Sequence, residues 1–323
     1  MYRTILTPLD GSPFSELALP FAEVLAGASG GTLVLIRAVS PHTAPLVDPI
    51  RGQVAMLDDA ERYLEAISRA ASGAPRVETG VYFGAPDEAI LQEIGIRRAD
   101  AVVMASHGRT GPGRTLFGSV ADRVLRRSPV PVLVVPARCD HMWDRGRPIR
   151  IVVPLDGSGF SEVILSPVRD LLATLQRGPG AAVTLVRVVD TSPAAYYGDA
   201  AREMFFDPEV EQGRARVYLE RRAAALDALV PRMDIHVRLG RPGASIAEAA
   251  RELGADLIAM ATHGRGGVSR LLLGSVASDT LRQTHVPILF ARPAALRRHA
   301  KSEDTAGTAG AGVARAEAMA TAP

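Results

Sequence analysis

Cysteine is nearly absent: Cys139 is the one cysteine among 323 residues, which excludes an intrachain disulfide framework. It falls in a stretch read as a linker, where a free surface thiol is expected. Aromatic residues make up only 5%, and neither charge sign dominates, because 37 Lys+Arg face 35 Asp+Glu for a formal net charge of +2. The basic residues are scattered arginines with no long blocks, so no nucleic-acid partner is expected. No apolar run reaches the roughly 18–20 residues that cross a bilayer, so no membrane partner is expected either. No secretory leader is read at the start, because Tyr2-Arg3-Thr4 leads directly into a short strand. The expected location is the cytoplasm. No Lys-(Ser/Thr) pair of a Walker loop occurs in the stretches that follow, and no metal-ligand cluster is read.

What the chain does contain, it contains twice. Residues 101–135 read AVVMASHGRTGPGRTLFGSVADRVLRRSPVPVLVV, and residues 257–290 read LIAMATHGRGGVSRLLLGSVASDTLRQTHVPILF. In each copy an apolar run stops at Met-Ala-(Ser/Thr)-His-Gly and a Gly-rich loop of nine residues follows. The loop closes on Gly-Ser, where a helical pattern begins, and Val-Pro introduces another apolar run. This is strand, loop, helix, strand. The amides left free at the helix start and the positive end of its dipole make a natural anion site there.

The rest of the chain repeats around that unit. Thr4–Leu9 is a short strand running into Pro8-Leu9-Asp10-Gly11-Ser12, with Ser12 as helix cap and Pro13 as first helical residue. Phe14, Leu17, Ala18, Phe21 and Leu25 recur at helical spacing, with Pro20 expected to bend or shorten that helix. Leu33–Val39 is a continuous apolar run broken only by Arg37, as suits a strand buried on both faces. A three-proline loop over residues 40–50 precedes a helix expected from near Gln53 to Ala71. Arg76–Phe83 reads as a strand, Gly84-Ala85-Pro86 as a turn, Asp87–Ile96 as a helix and Ala101–Ala105 as the strand of the central motif.

In the second half Asp156-Gly157-Ser158 matches Asp10-Gly11-Ser12, Arg187 takes the place of Arg37, and Gly240-Arg241-Pro242 matches Gly84-Ala85-Pro86. A length of 323 residues fits two domains better than one. The expected division is residues 1–137, a linker at 138–147, residues 148–293, and a disordered Ala/Gly/Thr-rich tail at 294–323. Strands alternating with helices call for α/β architecture: two tandem doubly wound domains, each a five-stranded parallel sheet with helices on both faces. Ligands on such sheets sit beyond the carboxyl ends of the strands, where Asp10, Val39, Gly84 and His107 fall. Val130–Val135 and Val286–Phe290 read as apolar edge strands, which are an association risk unless paired.

These residues resemble the universal stress protein (UspA) superfamily in its tandem form, over nearly the whole chain. The resemblance implies a Rossmann-like fold and two halves that pair through their fifth strands as an internal pseudo-dimer, with a homodimer of whole chains in addition left open. The ATP-binding branch of that family carries Gly-x2-Gly-x9-Gly-(Ser/Thr). This chain has Ala105-x2-Gly108-x9-Gly118-Ser119 and Ala261-x2-Gly264-x9-Gly274-Ser275, with alanine for the first glycine in both copies. That departure matters only where the position needs positive φ or very close phosphate approach.

By resemblance, an adenine nucleotide, ATP with Mg2+ carried by the nucleotide, would bind once per repeat. The first site would comprise Pro8, Leu9, Asp10, Val39, Met104, Ser106, His107, Gly108, Arg109, Gly111, Gly118, Ser119 and Val120. The second would comprise Pro154, Leu155, Asp156, Val189, Met260, Thr262, His263, Gly264, Arg265, Gly267, Gly274, Ser275 and Val276. Asp10 and Asp156 would meet the adenine or ribose end, since a carboxylate accepts from a hydroxyl or amine and repels phosphate. The loop amides and the Ser119 and Ser275 hydroxyls would meet the phosphates. No general base or water-positioning residue is evident, so no catalytic residue is assigned and weak ATP hydrolysis is the most the pattern supports. The competing readings are a slow ATPase and an interaction module without nucleotide, in which Asp-Gly-Ser is a turn and the loop caps a helix.

Overall fold

In a computed structural model of the chain the described residues are 1–40, 49–106, 118–144, 146–191, 207–224, 233–262 and 273–292. The tail expected from residue 294 lies outside them. The first half runs β1 (Thr4–Pro8), α1 (Pro13–Glu16), α2 (Leu19–Ser29), β2 (Thr32–Val39), α3 (Pro49–Ala70), β3 (Arg76–Phe83), α4 (Pro86–Ile96), β4 (Ala101–Ala105), α5 (Ser119–Arg127) and β5 (Val132–Val135). The second half runs β6 (Ile149–Pro154), a 3-10 turn at Ser161–Ile164, α6 (Leu165–Leu175), β7 (Ala181–Asp190), α7 (Pro208–Ala224), β8 (Met233–Gly240), α8 (Pro242–Glu252), β9 (Leu257–Ala261), α9 (Ser275–Gln283) and β10 (Ile288–Ala291).

Prolines set several of these boundaries. Pro13 and Pro20 each stand in a first helical turn, so the expected bend becomes a break between α1 and α2. Pro49 opens α3 four residues before Gln53, because a proline costs nothing at a position whose N–H has no helical acceptor. Gly30 ends α2 in the left-handed region at φ 63, with its amide turned back to Ala26 and Gly27.

The ten strands among the described residues form one sheet, ordered β3-β2-β1-β4-β5-β10-β9-β6-β7-β8. Within each half every pairing is parallel, and β5 meets β10 antiparallel. The runs read as edges therefore lie at the centre of the sheet, each covering the other. Their register is Val132↔Phe290, Leu133↔Leu289 and Val134↔Ile288, which is symmetric about Leu133 and Leu289. That is the self-complementary pairing of a twofold dimer, here within one chain.

Side chains alternate between two cores. Ile5, Val103, Leu133 and Leu289 face α2 and α6, whereas Leu6, Val102, Val134 and Ile288 face α4, α5, α8 and α9. All eight are at most 2% exposed, and burial of each such side chain contributes roughly 1.5–3 kcal/mol.

The segment read as a linker is a packed strap. Trp143 is buried edge-on against Phe21 at a centroid distance of 5.1 Å, and its Nε1 donates to the Asp256 carbonyl at 3.0 Å. Arg147 grips the Asp256 carboxylate through both terminal nitrogens at 2.9 and 2.6 Å, the Arg150 amide adds a bond of 2.7 Å, and His141 Nε2 contacts Oδ1. Burial opposes ionisation of Asp256, but these donors outweigh it and hold the carboxyl below its usual range. Cys139 is not a surface thiol. It is half-buried and donates to the His141 carbonyl at 3.3 Å, and burial pushes its pKa up. The first half crosses to the second again where Tyr2 donates its hydroxyl to the Pro167 carbonyl at 2.8 Å and its amide to Thr174 Oγ1 at 2.9 Å.

Candidate functional site

The order β3-β2-β1-β4-β5 reverses direction between β1 and β4, and a doubly wound sheet opens a crevice at that point. One wall comes from the turn after β1. The Leu9 amide donates to the Ile36 carbonyl at 2.8 Å, which carries the chain one residue beyond β1. Gly11 then adopts φ +83, and Asp10 Oδ1 accepts from the Ser12 amide at 2.9 Å and the Ser12 hydroxyl at 2.6 Å. Ser12 Oγ in turn caps α1 by accepting from the Ser15 amide at 3.3 Å. Asp10 is thus a turn residue whose carboxylate also borders a cavity. Asp156, Gly157 at φ +82 and Ser158 reproduce the turn, with Asp156 Oδ1 accepting at 2.8 and 2.6 Å.

Beneath each turn lies an arginine whose role the sequence reading did not identify. Arg37 leaves an otherwise apolar strand and is 9% exposed. Its guanidinium stacks 4.9 Å from the Tyr63 ring centre and approaches Asp59 Oδ2 at 3.4 Å. Gly11 packs directly on it: a Cβ there would lie 3.1 Å from Arg37 Cζ, so a glycine is needed for space as well as for φ. Tyr63 donates to Glu16 Oε1 at 2.8 Å, and burial together with that carboxylate pushes its pKa well up. Arg187 over Tyr218 at 4.9 Å, with Tyr218 donating to Glu162 at 2.9 Å, is the same device in the second half. There burial, with Glu162, pushes the Tyr218 pKa up to about 12. The available signal was an arginine recurring at one position of two apolar runs.

The opposite wall is the end of β4 and the start of α5. The Ser106 amide donates to the Val135 carbonyl at 2.8 Å, and the Gly118 amide returns to the Ser106 carbonyl at 2.9 Å. Gly118 stands as extended N-cap at φ −61 and ψ 142. The first intrahelical bond runs from the Asp122 amide to the Gly118 carbonyl, so α5 itself provides no acceptor for the amides of Ser119, Val120 and Ala121. Thr262 and Gly274 repeat the closure, at 3.0 and 2.9 Å. Ala105 and Ala261 end their strands 7% exposed. Arg98 is the one non-glycine residue at positive φ among the described residues, so alanine fits the strand geometry at both motif starts.

Between these walls lies a cavity of about 660 Å³, within the range of small-molecule sites. Pro8, Leu9, Asp10, Val39, Met104, Ser106, Gly118, Ser119 and Val120 all line it. Arg37, Met56 and Asp59 line it too, and were not anticipated. In the second half Pro154, Leu155 and Asp156 follow β6, Val189 is near the end of β7, and Met260 and Thr262 are at the end of β9, with Gly274, Ser275 and Val276 at the start of α9. His107, Gly108, Arg109 and Gly111 lie outside the described residues, as do His263, Gly264, Arg265 and Gly267. Among the described residues no three His, Cys, Asp or Glu side chains gather as metal ligands, and no helix is long and apolar enough to cross a membrane.

Known proteins resemble this chain over most of its length. A family model described as the universal stress protein family matches residues 1–136 and again residues 149–292. A universal stress protein of Thermus aquaticus is 34% identical over 137 residues, covering 42% of this chain and 99% of its own. One from Mycobacterium tuberculosis strain H37Rv is 26% identical over 299 residues, covering 89% of this chain and 96% of its own. Among solved structures, a universal stress protein from Archaeoglobus fulgidus superposes with a TM-score of 0.63 at 20% identity, over 90% of this chain and 96% of that one. At that identity the likeness is one of fold.

Proposed function

The chain belongs to the universal stress protein family, and on that premise we propose that it binds adenine nucleotide, ATP with its magnesium ion, at one site in each half. The observation that carries the reading is the first cavity, whose two ends offer opposite chemistry. Asp10 presents a carboxylate at one end, and at the other the amides of Ser119, Val120 and Ala121 point from the positive end of α5. A phosphate chain is repelled by the first and stabilised by the second, while a nucleoside offers the hydroxyls and amine a carboxylate needs. The polarity of the cavity therefore sets one orientation for a nucleotide. The repeated turn, the arginine stacked on a tyrosine and the helix cap extend the reading to the second half.

The protein acts in this reading as a cytoplasmic regulator whose conformation or partner choice responds to nucleotide, not as a catalyst with turnover. Residues 1–137 and 148–293 are its two nucleotide-holding domains. Nucleotide retained by the chain after gentle purification, identified by chromatography of the heat-released material, tests the reading. Adenine nucleotide near stoichiometric amounts is expected. A chain that carries none and binds none on addition would leave the interaction-module reading, and single-turnover phosphate release faster than roughly 1 per second, a rate typical of dedicated phosphoryl-transfer enzymes, would favour an ATPase.

A further inference from the structure

We propose that Arg37 reads the nucleoside in the first site, its Nε–H donating to an acceptor atom of the base or ribose. The inference rests on the nucleotide reading above. Four preceding residues of β2, Leu33 to Ile36, are at most 1% exposed, and Arg37 continues the strand into the wall of the cavity at 9% exposure. A guanidinium so placed needs its five N–H donors met. One terminal nitrogen reaches Asp59, and the face of the group rests on Tyr63. The Nε is buried and has no hydrogen-bond partner. A buried donor left unmade is costly and rare, and at the wall of a ligand cavity it marks a place where the ligand supplies the acceptor.

Position says which part of the ligand this is. Arg37 lies on β2, two strands from β4, so about 10 Å separates it from the strand that leads to the α5 helix start. The phosphates belong at that far end. Arg37 is instead beside the Asp10 turn, since Gly11 packs on its guanidinium. Its charge is already opposed by Asp59 and the Tyr63 ring, so it offers a hydrogen bond more than a free cation. Donor and carboxylate side by side match a group presenting an acceptor next to a donor. Adenine does so with a ring nitrogen beside its amine, and ribose does so with its paired hydroxyls.

At the position of Asp59 the second half carries an arginine. Tyr63 and Tyr218 are 155 positions apart, so Asp59 corresponds to Arg214, which pairs with Glu211 at 2.7 Å. The two sites therefore discriminate nucleosides by different contacts.

The test uses the full chain carrying Gly274→Glu, which confines binding to the first site, and compares it with Arg37→Lys and Arg37→Met added. Lysine keeps a cation over Tyr63 but has no donor at the Nε position, and equal unfolding midpoints establish that the variants are folded. Titration would use ATP, its 1-deaza, 3-deaza and 7-deaza analogues and 2′-deoxy-ATP. We expect Arg37→Lys to bind ATP about tenfold more weakly. One analogue should bind the arginine protein about tenfold more weakly than ATP, yet bind the lysine protein no worse than ATP does. A ring-nitrogen analogue showing this pattern identifies the base as the source of the acceptor, and the deoxy analogue identifies the sugar. Unchanged ATP affinity in both variants, or an equal loss for every analogue in all proteins, would overturn the assignment. ATP failing to bind the unmodified chain at all would overturn the nucleotide reading itself, a result distinguishable from the first.

Discussion

One wall of the first crevice comes from α3, and its counterpart in the second half, α7, has little in common with it. At the offset of 155 that aligns Tyr63 with Tyr218, Gly52, Ala55, Met56 and Asp59 correspond to Asp207, Val210, Glu211 and Arg214. A small, mostly apolar wall stands against one rich in charge. The strands and turns beneath have kept their chemistry: Asp10 and Asp156 make the same pair of bonds, Gly11 and Gly157 hold φ within a degree of each other, and both arginines stack at 4.9 Å. The turns are constrained by backbone conformation and close packing, which few residues satisfy. A helix face bordering solvent is constrained only by the residues that enter the core, here Leu64 and Leu219, both fully buried. A duplicated fold keeps its turns and lets its helix walls diverge, and the walls are where two sites can come to differ.

The halves meet in a symmetric register at β5 and β10, and the largest expected effect is there. Leu133→Asp and Leu289→Asp each bury a carboxylate at the centre of the antiparallel pair, with no partner within a dry core. Each should cost at least about 4 kcal/mol, and the two costs should agree within about 1 kcal/mol, because the residues face each other across the pseudo-twofold axis. Urea unfolding checks this. A cost confined to one of the two would break the symmetry.

The next effect sharpens a difference. Asp100 and Asp256 occupy equivalent positions, yet Asp100 is shown accepting only from the Arg3 and Thr4 amides, at 2.7 and 2.9 Å, whereas Asp256 also anchors the strap. Asp256→Asn should cost about 3 kcal/mol and Asp100→Asn about 1–2 kcal/mol, by the same unfolding measurement. Because folding lowers the Asp256 pKa, its contribution is fully present above the unfolded carboxylate value and is lost as pH falls through the lower folded one. The deficit of Asp256→Asn should thus be constant near neutral pH and shrink below about pH 4. A deficit that grows on acidification would contradict the clamp.

Much of this was legible beforehand, for identifiable reasons. The apolar runs and the Asp-Gly-Ser turns gave the strands and their carboxyl-edge residues, since buried strands and left-handed turns leave strong local signals. Pro20 announced a disturbance of the first helix, expected as a bend or a shortening and found as a break between α1 and α2. Less legible were features whose cause lies far along the chain. The strap read as a linker because its partner Asp256 is more than 100 residues away. The two edge strands could be seen to need cover, and the family resemblance, not the local pattern, supplied the mutual pairing. Arg37 was noticed as an interruption, while its stacking on Tyr63 and its place in the cavity required the fold.

A smaller effect addresses the two helix starts separately. Gly118→Glu puts a bulky like charge where the phosphates are expected, and Gly274→Glu does the same in the second half. Each should lower nucleotide affinity at its own site by at least about tenfold, or about 1.4 kcal/mol, and leave the other unchanged. Titration calorimetry on the single variants checks this, with unfolding midpoints to confirm that the fold is intact. Loss at both sites from one substitution would mean that the sites are coupled through the shared sheet.

The central claim is two nucleotide sites in one chain, and the stoichiometry of ATP with magnesium on the full-length protein tests it most directly. Calorimetric titration should give a value near two. The site lined by Arg37 and Asp59 should answer to changes in the nucleoside differently from the site in the second half. A value near one would mean that one helix start is purely structural, and a flat titration with folded protein would contradict the account.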